Sequence, residues 1–301
     1  MTAATGIPSP EGGAPIELAG AGGRRGLVRR TLAGRTGAAG AVLVAVVALG
    51  ALAAALGLLG DPLAQAPAER LSGPSARHWF GTDQFGRDVF ARSAAGAAAS
   101  LQIAVVAVAI AAVVGTAAGV AGAYFRGWSD RTVLGVTNVL FAFPPLLLAL
   151  ALASAFTRTW LTVAVAIAIV YTPIFVRVAR GPVLTLREVD FVRATTVLGF
   201  SPLRTLVRHV LPGIAPIVIV QVTLSLSWAV LTEASLSFLG LGTPPPAPSL
   251  GAMVLEARVL VNVAWWTMAA PGAVIVALVV GLNLLGDGLR DALDPRNGGG
   301  R

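Results

Sequence analysis

Long apolar runs separated by shorter polar segments dominate the chain. Six of these runs are close to the ~20 residues that an α-helix needs to cross a hydrocarbon core about 30 Å thick. They span residues 38–59, 101–124, 133–156, 160–178, 214–236 and 266–285. The pattern therefore predicts an all-α integral membrane protein with six transmembrane helices.

Composition narrows the possible classes of function. Of the 301 residues, 56% are hydrophobic and only 12% are charged, which is too apolar for a soluble domain. All 22 basic residues are arginine. Because a phosphate-binding loop of the Walker type needs its lysine, ATP hydrolysis would have to reside in another chain. With no cysteine, and with His78 and His209 on opposite sides of the predicted membrane, no metal site is expected.

The arginines set the predicted topology. With the N-terminus in the cytoplasm, sixteen of the 22 arginines fall inside and six outside, in agreement with the positive-inside rule. Both termini are then cytoplasmic, and the net charge of +8 needs no nucleic-acid partner. The predicted divisions are a disordered cytoplasmic tail at 1–35, a first transmembrane helix at 36–60, an extracytoplasmic segment at 61–96, a five-helix core at 97–286 that includes a cytoplasmic loop at 180–212, and a cytoplasmic tail at 287–301.

The cytoplasmic loop has a helical periodicity of its own. Four of its residues are spaced as one face of a helix, namely Phe191, Ala194, Thr195 and Leu198. Gly199 follows where that helix should end, and Ser201 with Pro202 forms the start of a second one. The second helix carries an apolar stripe of Leu203, Leu206, Val207, Val210 and Leu211. Two short helices joined at Gly199 are therefore predicted.

The predicted extracytoplasmic segment ends in the polar sequence FGTDQFGRD at residues 80–88. Gly81 and Gly86 are placed to frame a turn, and Asp83, Arg87 and Asp88 are close enough in sequence to pair locally. On residue types alone, a plain surface turn is the alternative interpretation.

Polar residues and prolines inside the predicted spans are the candidates for a transport path. Gln221 lies deep in the fifth run and is expected to face a pathway or another helix. Glu233, near the outer end of that run, has either a solvated or structural role or a role in the path or its gate. Pro144, Pro145 and Pro173 are candidate hinges, with ordinary helix packing as the alternative. Serine, histidine and acidic residues do not converge in the predicted topology, so no catalytic site is expected.

Three sequence motifs together resemble a known family. Arg193-Ala194-Thr195, Gly199, His209 and Leu211-Pro212 follow the spacing of the EAA loop of ABC-importer permeases, with Arg193 in place of the family's glutamate and Thr195 in place of its second alanine. Residues 81–88 resemble the GTDxxGRD signature of dipeptide, oligopeptide and nickel permeases. Residues 236–251 resemble that family's LSFLGLG-x-x-PP-x-PS-x-G. In combination the chain is most similar to the C-type subunits, those named DppC or OppC.

The resemblance implies a type I ABC-importer permease in the cytoplasmic (inner or plasma) membrane, with a dipeptide, an oligopeptide or a solute such as nickel as its substrate. The implied partners are a B-type permease in a heterodimer, two ABC ATPase subunits that bind ATP and Mg²⁺, and an extracytoplasmic solute-binding protein. The residues implied to form the ATPase-coupling loop are Asp190, Phe191, Arg193, Ala194, Thr195, Leu198, Gly199, Arg204, Arg208, His209 and Pro212. The residues implied for the extracytoplasmic motif are Gly81, Thr82, Asp83, Gly86, Arg87 and Asp88.

Alternative functions stay open on the residues alone. The chain is alternatively a permease for a different class of solute. A channel would need rings of polar or charged residues, of which the predicted spans offer few. An intramembrane enzyme would need a buried acid–base or metal set. We therefore expect no cofactor in this chain.

Overall fold

The computed structural model describes residues 24–293, and within that range every regular element is helical. The helices are α1 (Arg24–Ala33), α2 (Arg35–Ala55), α3 (Val89–Phe125), α4 (Gly127–Phe141), α5 (Pro145–Ala155), α6 (Trp160–Leu186), α7 (Asp190–Val197), α8 (Pro202–Thr205), α9 (Leu211–Phe238), α10 (Leu250–Ala257) and α11 (Trp266–Leu293). A π-helical turn, Leu206–Val210, joins α8 to α9, and a short 3₁₀ turn, Pro67–Glu69, lies between α2 and α3.

The structure confirms an all-α protein with five helices that are long and apolar enough to cross a membrane, and it has a bent helix pair that makes a sixth span if its two helices are counted as one. The continuous spans are α2, α3, α6, the joined helix Pro202–Phe238, and α11. The third predicted run is divided into α4 and α5, whose axes differ by 93°. Pro144 and Pro145 explain the break, because proline lacks a backbone N–H donor and disfavours helical geometry in the residue before it. Pro144 itself has extended backbone angles.

Three boundaries differ from those predicted. Helix α3 begins at Val89, within the segment predicted as extracytoplasmic to residue 96, because the Asp88 side chain caps its N-terminus and the residues that follow are small. Residues 24–33 of the predicted disordered tail form α1, which is anchored by buried Thr31 beside Gly37 and Gly288. Helix α11 continues to Leu293, into the predicted C-terminal tail. Residues 1–23 and 294–301 of the predicted tails lie outside the described residues.

The centre of the bundle is the crossing of α3 and α6. A Cβ atom on Gly115 would lie 2.5 Å from the Thr172 carbonyl oxygen, and one on Gly119 would lie 2.5 Å from that of Val176. Such small residues let membrane helices pack backbone to backbone, where dispersion contacts replace the hydrophobic drive that lipid removes. Phe175, fully buried between these two contacts, fills the crossing.

Helix α2 is attached differently, at the periphery. Only 11% of its most apolar window is buried, and its contact with the bundle is made chiefly through α11. There a Cβ atom on Gly40 would lie 2.4 Å from the backbone nitrogen of Leu285. The remaining faces of α2 carry exposed valine and leucine side chains, as expected of a surface in lipid.

We predict that Gly115→Ala lowers the melting temperature of the purified protein in detergent. The added methyl group would collide with α6, and such overpacking costs about 1–3 kcal/mol. The control is Gly50→Ala in α2, where a Cβ atom meets nothing within 4 Å. This control should be neutral or stabilising, because alanine is the better helix former. Equal melting temperatures for the two variants would contradict the role assigned to Gly115.

Candidate transport path and coupling elements

A groove of about 540 Å³ runs along the bent span, α6 and α9. Its lining residues are Leu140, Phe141, Phe143, Pro145, Leu146, Val170, Tyr171, Ile174, Gln221, Leu224, Ser225, Trp228, Leu231, Thr232 and Ser235. The groove thus brings together two of the residues singled out from the sequence, the candidate hinge Pro145 and the candidate path residue Gln221. Its volume falls in the range typical of small-molecule sites.

One wall of the groove is a polar stripe on α9. The stripe consists of Gln221, Ser225, Trp228, Thr232 and Ser235, whose spacing of four, three, four and three residues places them on one helix face. Gln221 Nε2 donates to Ser225 Oγ at 3.1 Å, and the hydroxyls of Thr232 and Tyr171 are 3.0 Å apart. The groove-lining residues include no Asp, Glu, Arg or His, so the surface offers uncharged hydrogen-bonding groups in an apolar and aromatic setting.

A second cavity of about 390 Å³ adjoins the groove. Gln221 and Leu224 line both spaces, and the second is otherwise lined by Val178, Pro216, Ile217, Val220, Arg290 and Leu293. Since Arg290 and Leu293 lie at the end of α11, this cavity is on the side of the bundle that carries the hairpin around Gly199. The two spaces therefore follow one another along α9, with Gln221 and Leu224 at their boundary.

Glu233 does not line the groove. Its side chain is fully buried and accepts hydrogen bonds from the hydroxyls of Ser100 at 2.5 Å, Ser237 at 2.6 Å and Ser249 at 3.5 Å. These hydrogen bonds link α3, α9 and the start of α10, which fits the structural role considered for Glu233. Ser249 belongs to a motif in the sequence, but nothing in the sequence pointed to Ser100.

Glycines close the packing around this carboxyl group. A Cβ atom on Gly242 would lie 1.9 Å from Ser237 Oγ, and one on Gly251 would lie 2.0 Å from the Ala234 carbonyl oxygen. The serines and glycines of the 236–251 motif thus form one compact unit with Glu233, which holds the C-terminal end of α9 to α10.

The prolines considered as hinges differ in their surroundings. Pro144 and Pro145 lie at the 93° break between α4 and α5. Pro173 is buried inside α6, which continues through it without interruption. Pro144 and Pro145 therefore lie where the chain bends, whereas Pro173 lies within a continuous packed helix.

The Gly199 hairpin (residues 190–210) begins with α7 and reverses direction at the glycine. Gly199 has φ +73°, the left-handed conformation that favours glycine. Phe200 N–H donates to the Thr195 carbonyl at 2.9 Å. This bond, which spans five residues, is the wider of the two backbone bonds that define a Schellman-type helix end. Ser201 then caps α8, accepting from Arg204 N–H at 3.4 Å, with Pro202 in the first turn. The turn at Gly199 thus has the geometry expected from the sequence.

A buried pair of hydroxyls ties the two arms of the hairpin together. Thr195 Oγ1 donates to the Val192 carbonyl at 2.7 Å and lies 3.0 Å from Thr205 Oγ1, and both threonines are buried. Thr205 is therefore the donor between the two hydroxyls. The residue that replaces the second alanine of the EAA motif thus forms a polar bridge that an alanine would lack.

The second arm is not the separate short helix that was predicted. Leu211 N–H donates to the Leu206 carbonyl, so the π-helical turn carries the chain from α8 into α9. Pro212, one of the residues implied to belong to the coupling loop, lies in the first turn of α9, where its missing N–H costs little. The predicted apolar stripe is divided, because Leu206 and Val210 are buried whereas Leu203 and Val207 are exposed.

The remaining coupling candidates lie at the hairpin surface. Asp190, Ala194, Leu198, Arg204 and Arg208 are exposed, and His209 is half-buried. The Arg204 guanidinium stacks on Phe200 at 4.5 Å from the ring centroid. The side chains of Phe191 and Arg193 lie outside the described part of the structure.

The 80–88 motif folds as a compact polar turn immediately before α3. Gly81 and Gly86 have φ +71° and +74°. Asp83 accepts from the backbone N–H groups of Phe85 and Arg87 at 2.8 and 3.0 Å and pairs with Arg87 Nε at 2.6 Å. Asp88 caps α3 through Ala91 N–H at 2.8 Å. The local pairing considered for these residues is therefore present.

Residues distant in sequence also contact this turn, and sequence reasoning missed them. Thr82 is fully buried, its hydroxyl donates to the Glu69 carbonyl, and its own carbonyl accepts from Trp266 Nε1 at 3.2 Å. Arg87 Nη2 lies 3.3 Å from Glu256 of α10, and buried Arg92 Nε lies 3.5 Å from Asp83. The Arg87–Glu256 ion pair thus fastens the motif to α10, and the Trp266 hydrogen bond fastens it to the start of α11.

His78 bridges two carboxylates within this segment. Its Nδ1 lies 2.6 Å from Asp88 Oδ2 and its Nε2 lies 3.1 Å from Glu69 Oε2, while Arg77 also pairs with Glu69. The hydrogen bond to Asp88, aided by the one to Glu69, raises the pKa of His78 above its ordinary value of 6.5, although partial burial opposes the shift.

We predict that the segment around His78 loses protection from hydrogen exchange as the pH rises. A raised pKa means that the folded segment prefers the protonated imidazole, so this stabilisation is complete below pH ~6.5 and disappears as the pH passes the folded pKa. The measurement is the protection factor of amides in residues 69–88, corrected for the intrinsic pH dependence of exchange. His78→Gln should abolish the trend and His209→Gln should retain it. A trend that persists in His78→Gln would exclude this explanation.

Comparison with known proteins places the chain in a family. Residues 111–298 match the model of the binding-protein-dependent transport system inner membrane component. The chain is 38% identical over 230 residues to a dipeptide transport system permease protein, DppC, of Alkalihalophilus pseudofirmus, covering 76% of each chain. It is 40% identical over 268 residues to a putative peptide transport system permease protein of Brucella suis, covering 89% of this chain and 90% of the relative.

A third relative carries a different substrate in its name. The chain is 43% identical over 225 residues to a glutathione transport system permease protein, GsiD, of Escherichia coli, covering 75% of this chain and 74% of the relative. These relatives are transport permease subunits and not enzymes. With its apolar spans, the chain belongs to the binding-protein-dependent transport system inner membrane components, as a multi-pass ABC-importer permease subunit of the DppC and OppC type.

Proposed function

We propose that this permease subunit carries dipeptides or oligopeptides across the membrane, with the 540 Å³ groove as its part of the path. The observation that carries the proposal is the uncharged polar stripe on α9. A peptide presents amide N–H and C=O groups that need hydrogen-bonding partners when they leave water. Gln221, Ser225 and Thr232 supply such partners at successive turns without a fixed charge that would hold the substrate in place.

The relatives support a peptide-like substrate, since their names specify dipeptide, peptide and glutathione transport. Nickel is the less favoured candidate. Ni²⁺ in proteins is commonly bound by imidazole nitrogens, carboxylates or thiolates. None of these groups is among the described residues of the groove. A permease for another class of solute is the remaining alternative.

The Gly199 hairpin is the proposed docking element for a separate ATPase subunit. Leu198, Leu203 and Val207 are 71%, 71% and 56% exposed, an apolar surface suited to a protein partner. Its sidedness follows from the arginines beside it, since Arg126 pairs with Glu188 and Arg187 donates to the Tyr124 carbonyl at this end of the bundle. By the positive-inside rule this end is cytoplasmic, and so are both termini.

The proposed assembly follows from these two surfaces. A B-type permease would complete the path as a heterodimer, and two ABC ATPase subunits would bind ATP and Mg²⁺ and dock at the hairpins. An extracytoplasmic solute-binding protein would deliver substrate at the opposite face, where the 80–88 motif and α10 lie. The chain itself would hold no cofactor.

Uptake of labelled substrates tests the path. Cells that lack their own peptide permease should accumulate labelled peptide when this chain is expressed with its partner subunits. Gln221→Leu should lower the maximal rate by roughly tenfold, since the loss of one hydrogen bond to a desolvated amide costs about 1–1.5 kcal/mol. Gln102→Leu is the matched control, because Gln102 is exposed on α3 and lines neither cavity. The proposal would be overturned if the uptake of every peptide tested were the same in cells with and without this chain.

A change at Gly199 tests the docking element separately. Gly199→Val places a β-branched residue at φ +73°, although no atom lies within 4 Å of the new Cβ, so only the backbone is strained. A left-handed conformation costs such a residue about 1–2 kcal/mol, which corresponds to a roughly 5- to 30-fold weaker docking equilibrium. Co-purification of the ATPase subunits measures the effect, with Gly50→Val and Arg35→Ala as controls. Recovery of equal amounts of ATPase from all three variants would refute the role of the turn.

A further inference from the structure

Helix α4 packs against α3 near Gly122 and is joined to α6 by polar contacts. Of its 15 residues only Thr137 is buried, so apolar packing contributes little to its position. At its start, Asp130 forms a two-pronged ion pair with Arg180 of α6, at 2.8 and 2.7 Å. At its end, immediately before the 93° break, Arg177 of α6 makes two further contacts.

Arg177 grips the last turn of α4 in two ways. Its Nη2 donates to Asn138 Oδ1 at 3.1 Å, and its guanidinium carbon lies 4.0 Å from the centroid of the Phe141 ring. Both contacts use the flat guanidinium group, one at its edge and one at its face. Phe141 is therefore positioned by Arg177, and Phe141 lines the groove.

The position of this contact along the path is specific. On α6, Ile174 lines the groove and Val178 lines the second cavity, and Arg177 lies between them in sequence. On α9, the boundary between the same two cavities is formed by Gln221 and Leu224. Arg177 thus acts at the level where one space gives way to the other.

We propose that Arg177 is a positioning residue that latches the end of α4 to α6 and thereby keeps the passage between the groove and the second cavity narrow. The inference rests on the proposed function of the groove as the path. Release of Asn138 and Phe141 would let the end of α4 swing about the Phe143–Pro145 break, and Phe141 would move with it. Because Arg177 is exposed, its contacts are of the weak kind, which suits a latch that opens in each transport cycle.

The lack of cysteine in this chain allows a direct test in a transporter assembled with cysteine-free partner subunits. Leu231→Cys places a single thiol in the groove, on the far side of Gln221 from the second cavity, at a position that is 40% exposed. In inside-out vesicles without ATP, a membrane-impermeant maleimide is added at the cytoplasmic face. Arg177→Gln should raise the rate of labelling about fivefold, and Arg177→Lys should give a smaller increase because lysine keeps the charge but not the planar stacking face.

Arg158→Gln is the control, since it removes an arginine that donates at 2.7 Å to the Gly240 carbonyl at the outer ends of α5 and α9. Its labelling rate should equal that of the parent. Should Arg177→Gln fail to assemble, Phe141→Leu removes the ring face and should accelerate labelling in the same way.

An unchanged rate in the Arg177→Gln variant, or in Phe141→Leu where Arg177→Gln does not assemble, would overturn the latch. The two proposals fail separately. Faster labelling in a transporter that moves no peptide would leave the latch in place and overturn the proposed substrate. Normal peptide uptake with unaltered labelling would do the reverse.

Discussion

The close approach of α3 to α6 is the contact on which the other parts of the molecule depend. At Gly115 and Gly119 the carbonyl oxygens of Thr172 and Val176 occupy the space where side chains would otherwise project. Lipid offers no hydrophobic reason for two helices to associate, so this shape match must hold them together. Helix α6, once fixed, presents Tyr171 to the groove and Arg177 to α4. The positions of the groove and its boundary therefore depend on a helix contact that two glycines, Gly115 and Gly119, make possible.

Charged side chains lie at the two ends of the bundle, on either side of the groove. One end carries the Asp83, Arg87, Arg92 and Glu256 cluster, and the other carries Arg180 with Asp130 and Arg187 with the end of α3. Between them the groove offers only amide, hydroxyl, indole and apolar groups. Buried Glu233 satisfies its oxygens with serine hydroxyls, on the face of α9 opposite the stripe. Ion pairs thus join elements at the two ends, while the described lining of the groove between them carries no charged side chain.

The sequence alone predicted the elements better than their contacts. Apolar length was enough to find the spans, because a helix must satisfy its own backbone in lipid, and Pro144-Pro145 marked the position of the break. Its 93° angle depends on what α4 and α5 contact, which no local pattern encodes. The start of α3 was missed because Arg92 and Ser93 interrupt the apolar run, and Arg92 is buried through partners as distant as Glu256.

The candidate sites show the same limit. The turn at Gly199 and the pairing of Asp83 with Arg87 depend on neighbours in sequence, and both could be anticipated. The surroundings of Glu233 include Ser100, which is 133 residues away, and the Thr195–Thr205 bridge forms only after the chain has reversed. Polar residues in spans can thus be recognised from sequence as costly, but the groups that offset the cost come from the tertiary structure.

The continuity of the helix from Pro202 to Phe238 has a mechanical consequence. One end of this rod forms the second arm of the Gly199 hairpin, and its middle carries the stripe from Gln221 to Ser235. At 1.5 Å per residue, Thr205 and Gln221 are separated by about 24 Å along the axis. The helix continues through the π-helical turn, Pro212 and Pro216. We infer that a small tilt applied at the hairpin would be converted into lateral travel of the hydrogen-bonding groups. The π-helical turn lies at the hairpin end of this helix, where it sets the direction in which the helix leaves the hairpin.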